Sequence, residues 1–233
     1  MNSVSFGSTF KIRDNKHDYV NNYKIMDFCE KNDLEYGSKT EIIKPAKNYH
    51  DVPMYTVNTT IIAPDHKDAF VESYLANKGV SFKKLSTTDL LDKTKIEERI
   101  QDAPKNMQLV NLDVEKLEQI LQNQSNNIEY CEDNYNNYYK DRVNSLIKSG
   151  DKIPATTLYI NPAGDSVEGS IDYINNFGTD RLNDNQFVLM FNQSTDEPDH
   201  CMFFGMKDLG MDKVPVYVNK DTYQLGHALG LFK

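Results

Sequence analysis

A Gly-Asp-Ser turn is the feature of this sequence that comes closest to a catalytic motif. Gly164, Asp165 and Ser166 follow a predicted strand and open a predicted helix. A serine at such a turn can act as a nucleophile, because free amides at a helix N-terminus stabilise an oxyanion. Neither downstream histidine stands in a D-x-x-H element, the usual source of a base in such hydrolases.

Ser and Asp are also preferred N-cap residues, so capping by Asp165 or Ser166 is the interpretation that we favour. The alternative is a hydrolase of unknown substrate that uses Ser166, with Asp165 or a distant histidine assisting. That hypothesis predicts labelling of Ser166 by a fluorophosphonate probe, and absence of labelling in folded protein would count against it.

The cysteines form no metal-binding or redox pattern. Cys29, Cys131 and Cys201 are widely spaced and include no C-x-x-C pair, which argues against a disulfide framework and a structural zinc site. His200 precedes Cys201, but adjacent residues of a strand point to opposite faces. We therefore interpret Cys201 as a small core residue and expect no metal or other cofactor.

An acidic loop is a candidate for binding rather than catalysis. Asp196, Glu197 and Asp199 lie between two apolar runs that we interpret as the strands of a hairpin. Their order is not the D-x-[DN]-x-[DN]-G of a calcium loop. A solvated hairpin tip explains them, and an exposed loop on a rigid scaffold is also where a recognition element lies.

A group of tyrosines is the second candidate for binding. They recur at helical spacing in one segment: Tyr130, Tyr135, Tyr138 and Tyr139. Tyrosine is enriched at binding surfaces, because it combines a large contact area with a polar tip. Packing of the helix onto a sheet explains the same spacing and is the interpretation that we favour, with Tyr135 and Tyr138 kept as candidate binding residues.

The charge of the chain restricts its partners. The formal net charge is −9, and no run of Lys or Arg exceeds two residues. Such a chain is repelled by nucleic acids and anionic membranes and attracts basic proteins. The N-terminus lacks the pattern of a signal peptide, and no apolar stretch approaches the roughly 18 residues of a membrane helix. We expect a cytoplasmic protein.

The elements that must position these residues begin with a regular pattern over residues 1–85. Apolar and polar residues alternate over 4–13 and 55–62, as in half-buried strands, and helical spacing follows each of them. With further strands at 34–43 and 80–85, the order is β-α-β-β-α-β. This is the ferredoxin-like arrangement, in which two helices cover one side of a four-stranded sheet.

The remainder completes an α+β protein. Residues 86–150 are predicted to be helical, with Asp113 as an N-cap and Gly150 at the end of the last helix. Residues 151–233 are predicted to form a mixed β-sheet with one helix. The strands expected there are 155–160, 186–192, 201–207 and 214–218. We thus predict three segments, 1–85, 86–150 and 151–233, which can fuse into one body.

Because no coherent catalytic set is present, the function that we expect is binding. The sequence favours a non-catalytic, acidic protein-interaction module of the inhibitor or immunity type, acting on a basic protein partner. The hydrolase with its Gly-Asp-Ser turn is the alternative.

Overall fold

The computed structural model describes residues 7–14, 19–44, 54–122, 125–162, 166–179, 187–192 and 198–232. It confirms the α+β fold class. The strands are β1 Ser8–Asp14, β2 Glu35–Lys44, β3 Met54–Ala63, β4 Phe82–Ser86, β5 Gln108–Asp113, β6 Ser125–Asn126, β7 Thr156–Pro162, β8 Phe187–Phe191 and β9 Lys213–Val218.

The described α-helices lie between these strands and after the last one. They are α1 Tyr19–Lys31, α2 Asp65–Asn77, α3 Thr87–Leu90, α4 Lys93–Arg99, α5 Val114–Leu121, α6 Ile128–Asn134, α7 Lys140–Ser149, α8 Val167–Phe177, α9 Met202–Asp208 and α10 Lys220–Ala228. A π-helix at Tyr135–Tyr139 joins α6 to α7, and a 3₁₀ helix at Pro198–Cys201 precedes α9.

Contacts divide the chain into two compact units. Unit 1 comprises Met1–Lys95 with Ser145–Asp151, and unit 2 comprises Ile96–Asn144 with Lys152–Lys233. These boundaries differ from those of the three segments proposed from the sequence, whose division stays a prediction.

Unit 1 contains a four-stranded sheet with the order β2-β3-β1-β4, and every neighbouring pair is antiparallel. With α1 and α2 between the strands, this is the predicted βαββαβ, ferredoxin-like arrangement. Alternate residues of the sheet, such as Phe10 and Ile61, form one buried cluster with Phe28 of α1 and Leu75 of α2. The helices therefore cover one face of the sheet, as the alternating pattern requires.

The segment 145–151 belongs to the ferredoxin-like unit although it lies far from it in sequence. Thr9 Oγ1 donates a hydrogen bond of 2.8 Å to the carbonyl of Lys148, and Lys11 forms an ion pair with Asp151. Gly150 ends the helix in the left-handed region at φ 72°, as predicted. A Cβ there would also lie 3.0 Å from the side chain of Leu90.

Unit 2 contains a mixed sheet with the order β5-β9-β7-β8-β6. The β5–β9 and β7–β8 pairs are antiparallel, and the β9–β7 and β8–β6 pairs are parallel. Residues 214–218 of β9 are all buried, which places this strand at the centre of the core. The mixed C-terminal sheet is as predicted, and β5 is an additional strand within the segment predicted to be helical. Asp113 caps the following helix as predicted, since its side chain accepts from the Lys116 amide.

The predicted hairpin between 186–192 and 201–207 is wrong. β8 pairs with β7 and β6, whereas Met202–Asp208 forms helix α9. All residues from Cys201 to Met206 are buried. A short, continuously apolar run has no polar face, so its period cannot distinguish a buried strand from a buried helix.

Candidate functional site

The structure places Ser166 at the N-cap of α8. Its Oγ accepts a hydrogen bond of 3.1 Å from the amide of Gly169, which satisfies one of the free donors of the first helical turn. Asp165 lies outside the described residues. The geometry of Ser166 is therefore that of a capping residue.

Asp199 is the part of the acidic loop that the structure describes, whereas Asp196 and Glu197 lie outside the described residues. Asp199 is half-buried in the 3₁₀ helix, and its carbonyl accepts a hydrogen bond of 2.8 Å from Thr156 Oγ1. The same hydroxyl oxygen accepts from the amide of Phe203, at 2.9 Å. Thr156 of the central sheet thus fixes the position of this short helix and of the start of α9.

The cysteine thiols are held in unreactive surroundings. Cys29, Cys131 and Cys201 are free and buried. Burial, with a smaller effect of the nearby Cys131, raises the pKa of Cys201 to about 12. Burial, with a smaller effect of Glu30, raises the pKa of Cys29 to about 12 as well. Because the thiolate is the nucleophilic form, these two residues are core side chains rather than nucleophiles.

The π-helix follows from the spacing of the residues that this long helix buries. Cys131, Tyr135, Val143 and Ile147 are buried and Tyr139 is half-buried, so the inward-facing positions recur at every fourth residue. In an α-helix of 3.6 residues per turn, each such step rotates the stripe by about 40°. A wider π-helical turn at Tyr135–Tyr139 removes part of that rotation and keeps the stripe against the core.

Tyr135 anchors the π-helix to the core of unit 2. It is 2% exposed, and its ring stacks on Phe204 with centroids 5.7 Å apart. Its hydroxyl donates a hydrogen bond of 2.7 Å to Asp208 Oδ2, which also receives Lys140 Nζ at 3.0 Å. Burial and then the Asp208 carboxylate raise the pKa of the Tyr135 phenol well above its usual value. Tyr135 is therefore a structural anchor and not a surface contact residue.

The solvent-exposed surface of the same helix carries two tyrosines. Tyr138 is 77% exposed and Tyr130 is 57% exposed. Residues 128–139 contain three carboxylates and no basic residue. We call the exposed set Glu129, Tyr130, Asp133, Asn137 and Tyr138 the tyrosine–acid face. Asp133 lies at its centre, three or four residues after Tyr130 and Glu129 and four or five residues before Asn137 and Tyr138, so the set lies along one side of the helix.

The structure brings two of the sequence-predicted regions together. Tyr139, at the end of the π-helix, contacts the buried His200 edge-on, with ring centroids 5.2 Å apart. His200 follows Asp199, so the 3₁₀ helix from the acidic loop lies against the tyrosine helix. Sequence reasoning missed Asp208, because 73 residues separate it from Tyr135 and no local pattern links the two.

Among the described residues, no three His, Cys, Asp or Glu side chains are grouped so that they could hold a metal ion. In the same part of the chain, no helix combines the length and apolar character needed to cross a bilayer.

No protein-family model matches the chain, and neither the curated proteins nor the solved structures contain a significant match.

Proposed function

We propose that this protein is a non-catalytic protein-interaction module whose tyrosine–acid face binds a basic protein partner. The observation that carries the proposal is the exposure of Tyr138 and Tyr130 on a helix that Tyr135 anchors to the core. A rigid tyrosine offers a large contact area at low entropic cost, because its two side-chain torsions lose little freedom.

The charges of the face define the chemistry of the partner. Glu129 and Asp133 flank Tyr130, and the nearest lysine along the helix, Lys140, is already paired with Asp208. The net charge of −9 adds a long-range attraction for a basic surface. Complementary charges of this kind accelerate association and make it sensitive to salt. A nucleic acid would be repelled by the same charges.

The free thiols of the three cysteines favour a reducing compartment as the place of this interaction. All three cysteines are free, as is usual in a reducing compartment. We therefore place the proposed interaction in the cytoplasm.

Site-specific photo-crosslinking tests the proposal. Replacement of Tyr138 by p-benzoylphenylalanine is expected to capture a basic protein in a native lysate, with less capture at about 0.5 M salt because the charges are screened. The matched control carries the probe at Tyr23, which is 67% exposed on α1. The captured protein is then purified for binding measurements with the intact chain.

The double variant Tyr130→Ser/Tyr138→Ser is expected to bind this partner at least tenfold more weakly, since each central tyrosine of an interface commonly contributes more than 1 kcal/mol. Tyr23→Ser is expected to bind as the wild type does. Equal capture by probes at positions 138 and 23, or unchanged affinity of the double variant, would remove this face from the proposal.

A further inference from the structure

The strand β2 forms one edge of the four-stranded sheet in unit 1. It pairs with β3 on one side, and within the described residues no strand pairs with its other side. It is ten residues long, and every residue from 37 to 42 is exposed. An edge of this length presents a row of backbone donors and acceptors that can pair with another strand.

A glycine within β2, Gly37, is a second feature that favours pairing with another strand. It lies in the regular part of the strand, opposite Thr60, and the only irregularity described in the β2–β3 pairing is between Ile42 and Lys44. A Cβ built on Gly37 would meet nothing within 4 Å, so packing within the chain does not require glycine here. A glycine inside a strand weakens it and often marks the close approach of another backbone.

The charges of β2 specify a partner strand. Lys39 and Glu41 lie two residues apart, so they point to the same face of the sheet. In an antiparallel pair of two β2 strands with its two-fold axis at Thr40, Lys39 faces Glu41 of the second copy, and the pair occurs twice. Moving the axis to Lys39 or to Glu41 places like charges directly opposite, which is unfavourable.

The same register covers an exposed apolar side chain. Ile42 is 62% exposed, and a two-fold axis at Thr40 places it opposite Ser38 of the second copy. A two-fold axis at Gly37 would pair Lys39 with Glu35 but would leave Ile42 beyond the paired residues. Charge complementarity and burial of Ile42 therefore favour the same register.

We propose that a second copy of this chain binds at β2, so that the two four-stranded sheets join into one continuous sheet related by a two-fold axis at Thr40. Charged residues on an edge normally prevent pairing. Here their opposite signs permit one register and disfavour its neighbours. One strand pair buries less area than a standard interface, so the dimer forms at high protein concentration.

Sedimentation equilibrium of the intact chain, from about 10 μM to about 1 mM, tests the proposal. The wild type is expected to form a dimer over this range. Lys39→Glu and Glu41→Lys are each expected to weaken the dimer about fivefold or more, because each places like charges opposite each other twice. The double variant Lys39→Glu/Glu41→Lys restores opposite charges and is expected to regain wild-type association.

Two further variants separate this contact from general changes in charge or folding. Lys83→Glu alters an exposed charge on β4, at the opposite edge of the sheet, and is expected to leave the dimer unchanged. Thr40→Cys is expected to give a disulfide-linked dimer with oxidised glutathione, whereas Ser38→Cys is not, because its counterpart lies four positions away along the strand. A monomer at all concentrations, a double variant that does not recover, or no linkage through position 40 would overturn the proposal.

Discussion

Tyr135 shows how one side chain connects the core to the proposed binding surface. Its ring is stacked on Phe204 and its hydroxyl donates to Asp208, which in turn binds Lys140. Lys140 Nζ also lies over the Tyr135 ring, 5.4 Å from its centroid. These contacts hold the π-helical turn against the core. The exposed Tyr138 therefore projects into solvent from a backbone that is fixed in position.

The raised pKa of Tyr135 makes its contribution to stability dependent on pH. The unfolded chain loses this proton above about pH 10, whereas the folded chain retains it. The contribution is therefore fully present below pH 10 and is lost as the pH rises through the higher folded pKa. We expect Tyr135→Phe to lower the free energy of unfolding by about 1 kcal/mol at pH 8, since Asp208 is half-exposed.

Above about pH 10 this difference is expected to close by up to about 1.4 kcal/mol per pH unit. Urea unfolding of the wild type and the variant at about pH 8, 9.5 and 10.5, values below and above the ordinary tyrosine pKa, measures it. The matched control is Tyr138→Phe, whose hydroxyl is exposed and whose difference from wild type should be small at each pH. A constant gap for Tyr135→Phe would show that its proton is not linked to folding.

At the scale of elements, the helix from Ile128 to Ser149 contains one residue more than a regular α-helix needs. If Asn137 is deleted, the inward-facing positions (131, 135, 139 and 143 in the wild type) recur at steps of three and four across the former π-helical turn, which is the period of an α-helix. The residues before and after the turn then remain on the same sides of the helix, buried or exposed as before. We expect this deletion to convert the π-helix into an α-helix and to change stability by no more than about 1 kcal/mol.

Asp172 gives the matched deletion in a regular helix. It is exposed in the middle of α8, where Ser170 and Ile174 are buried. Its removal rotates Ile174 by about 100° out of the core, so we expect a loss of about 2 kcal/mol or more. Circular dichroism and urea unfolding of both deletion variants measure the difference. Equal destabilisation by the two deletions would mean that the extra residue at 135–139 is required by the fold.

The sequence predicted the elements whose structure is determined by neighbouring residues, and it did not predict those whose structure depends on residues far away in the chain. The ferredoxin-like order followed from alternation in β1 and β3 and from helical spacing after each, which are properties of neighbouring residues. The helix at Met202–Asp208 could not be distinguished from a strand, because all of its first residues are buried by distant parts of the chain. The tyrosine helix was predicted, but its division into a buried Tyr135 and an exposed Tyr138 depends on Asp208 and Phe204, which no local pattern identifies.

At the scale of the whole molecule, the chain enters and leaves the ferredoxin-like unit more than once. Residues 145–151 belong to unit 1, although helix α7, which contains their first five residues, begins in unit 2. The Thr9 hydrogen bond to the Lys148 carbonyl and the packing of Gly150 against Leu90 give this return a physical basis. The stability of residues 145–151 should therefore depend on the core of unit 1, and not on the core of unit 2, in which their helix begins.

Hydrogen exchange in two core variants tests this division. Leu75→Ala removes a fully buried side chain from unit 1, and Leu158→Ala does the same in unit 2. Each should lower the stability of its unit by about 2–5 kcal/mol. The slowest amides of that unit are then expected to exchange roughly 30-fold faster or more, because they exchange through its cooperative opening.

The amides of residues 145–151 provide the discriminating signal in this experiment. Because the contacts of Thr9 and Gly150 attach them to unit 1, their exchange rates are expected to rise in Leu75→Ala and to stay close to those of the wild type in Leu158→Ala. Acceleration with Leu158→Ala alone would assign the segment to the unit in which its helix begins. Equal acceleration of every slow amide by both variants would show that the chain unfolds as one cooperative body, because two separately cooperative units respond only to changes in their own cores.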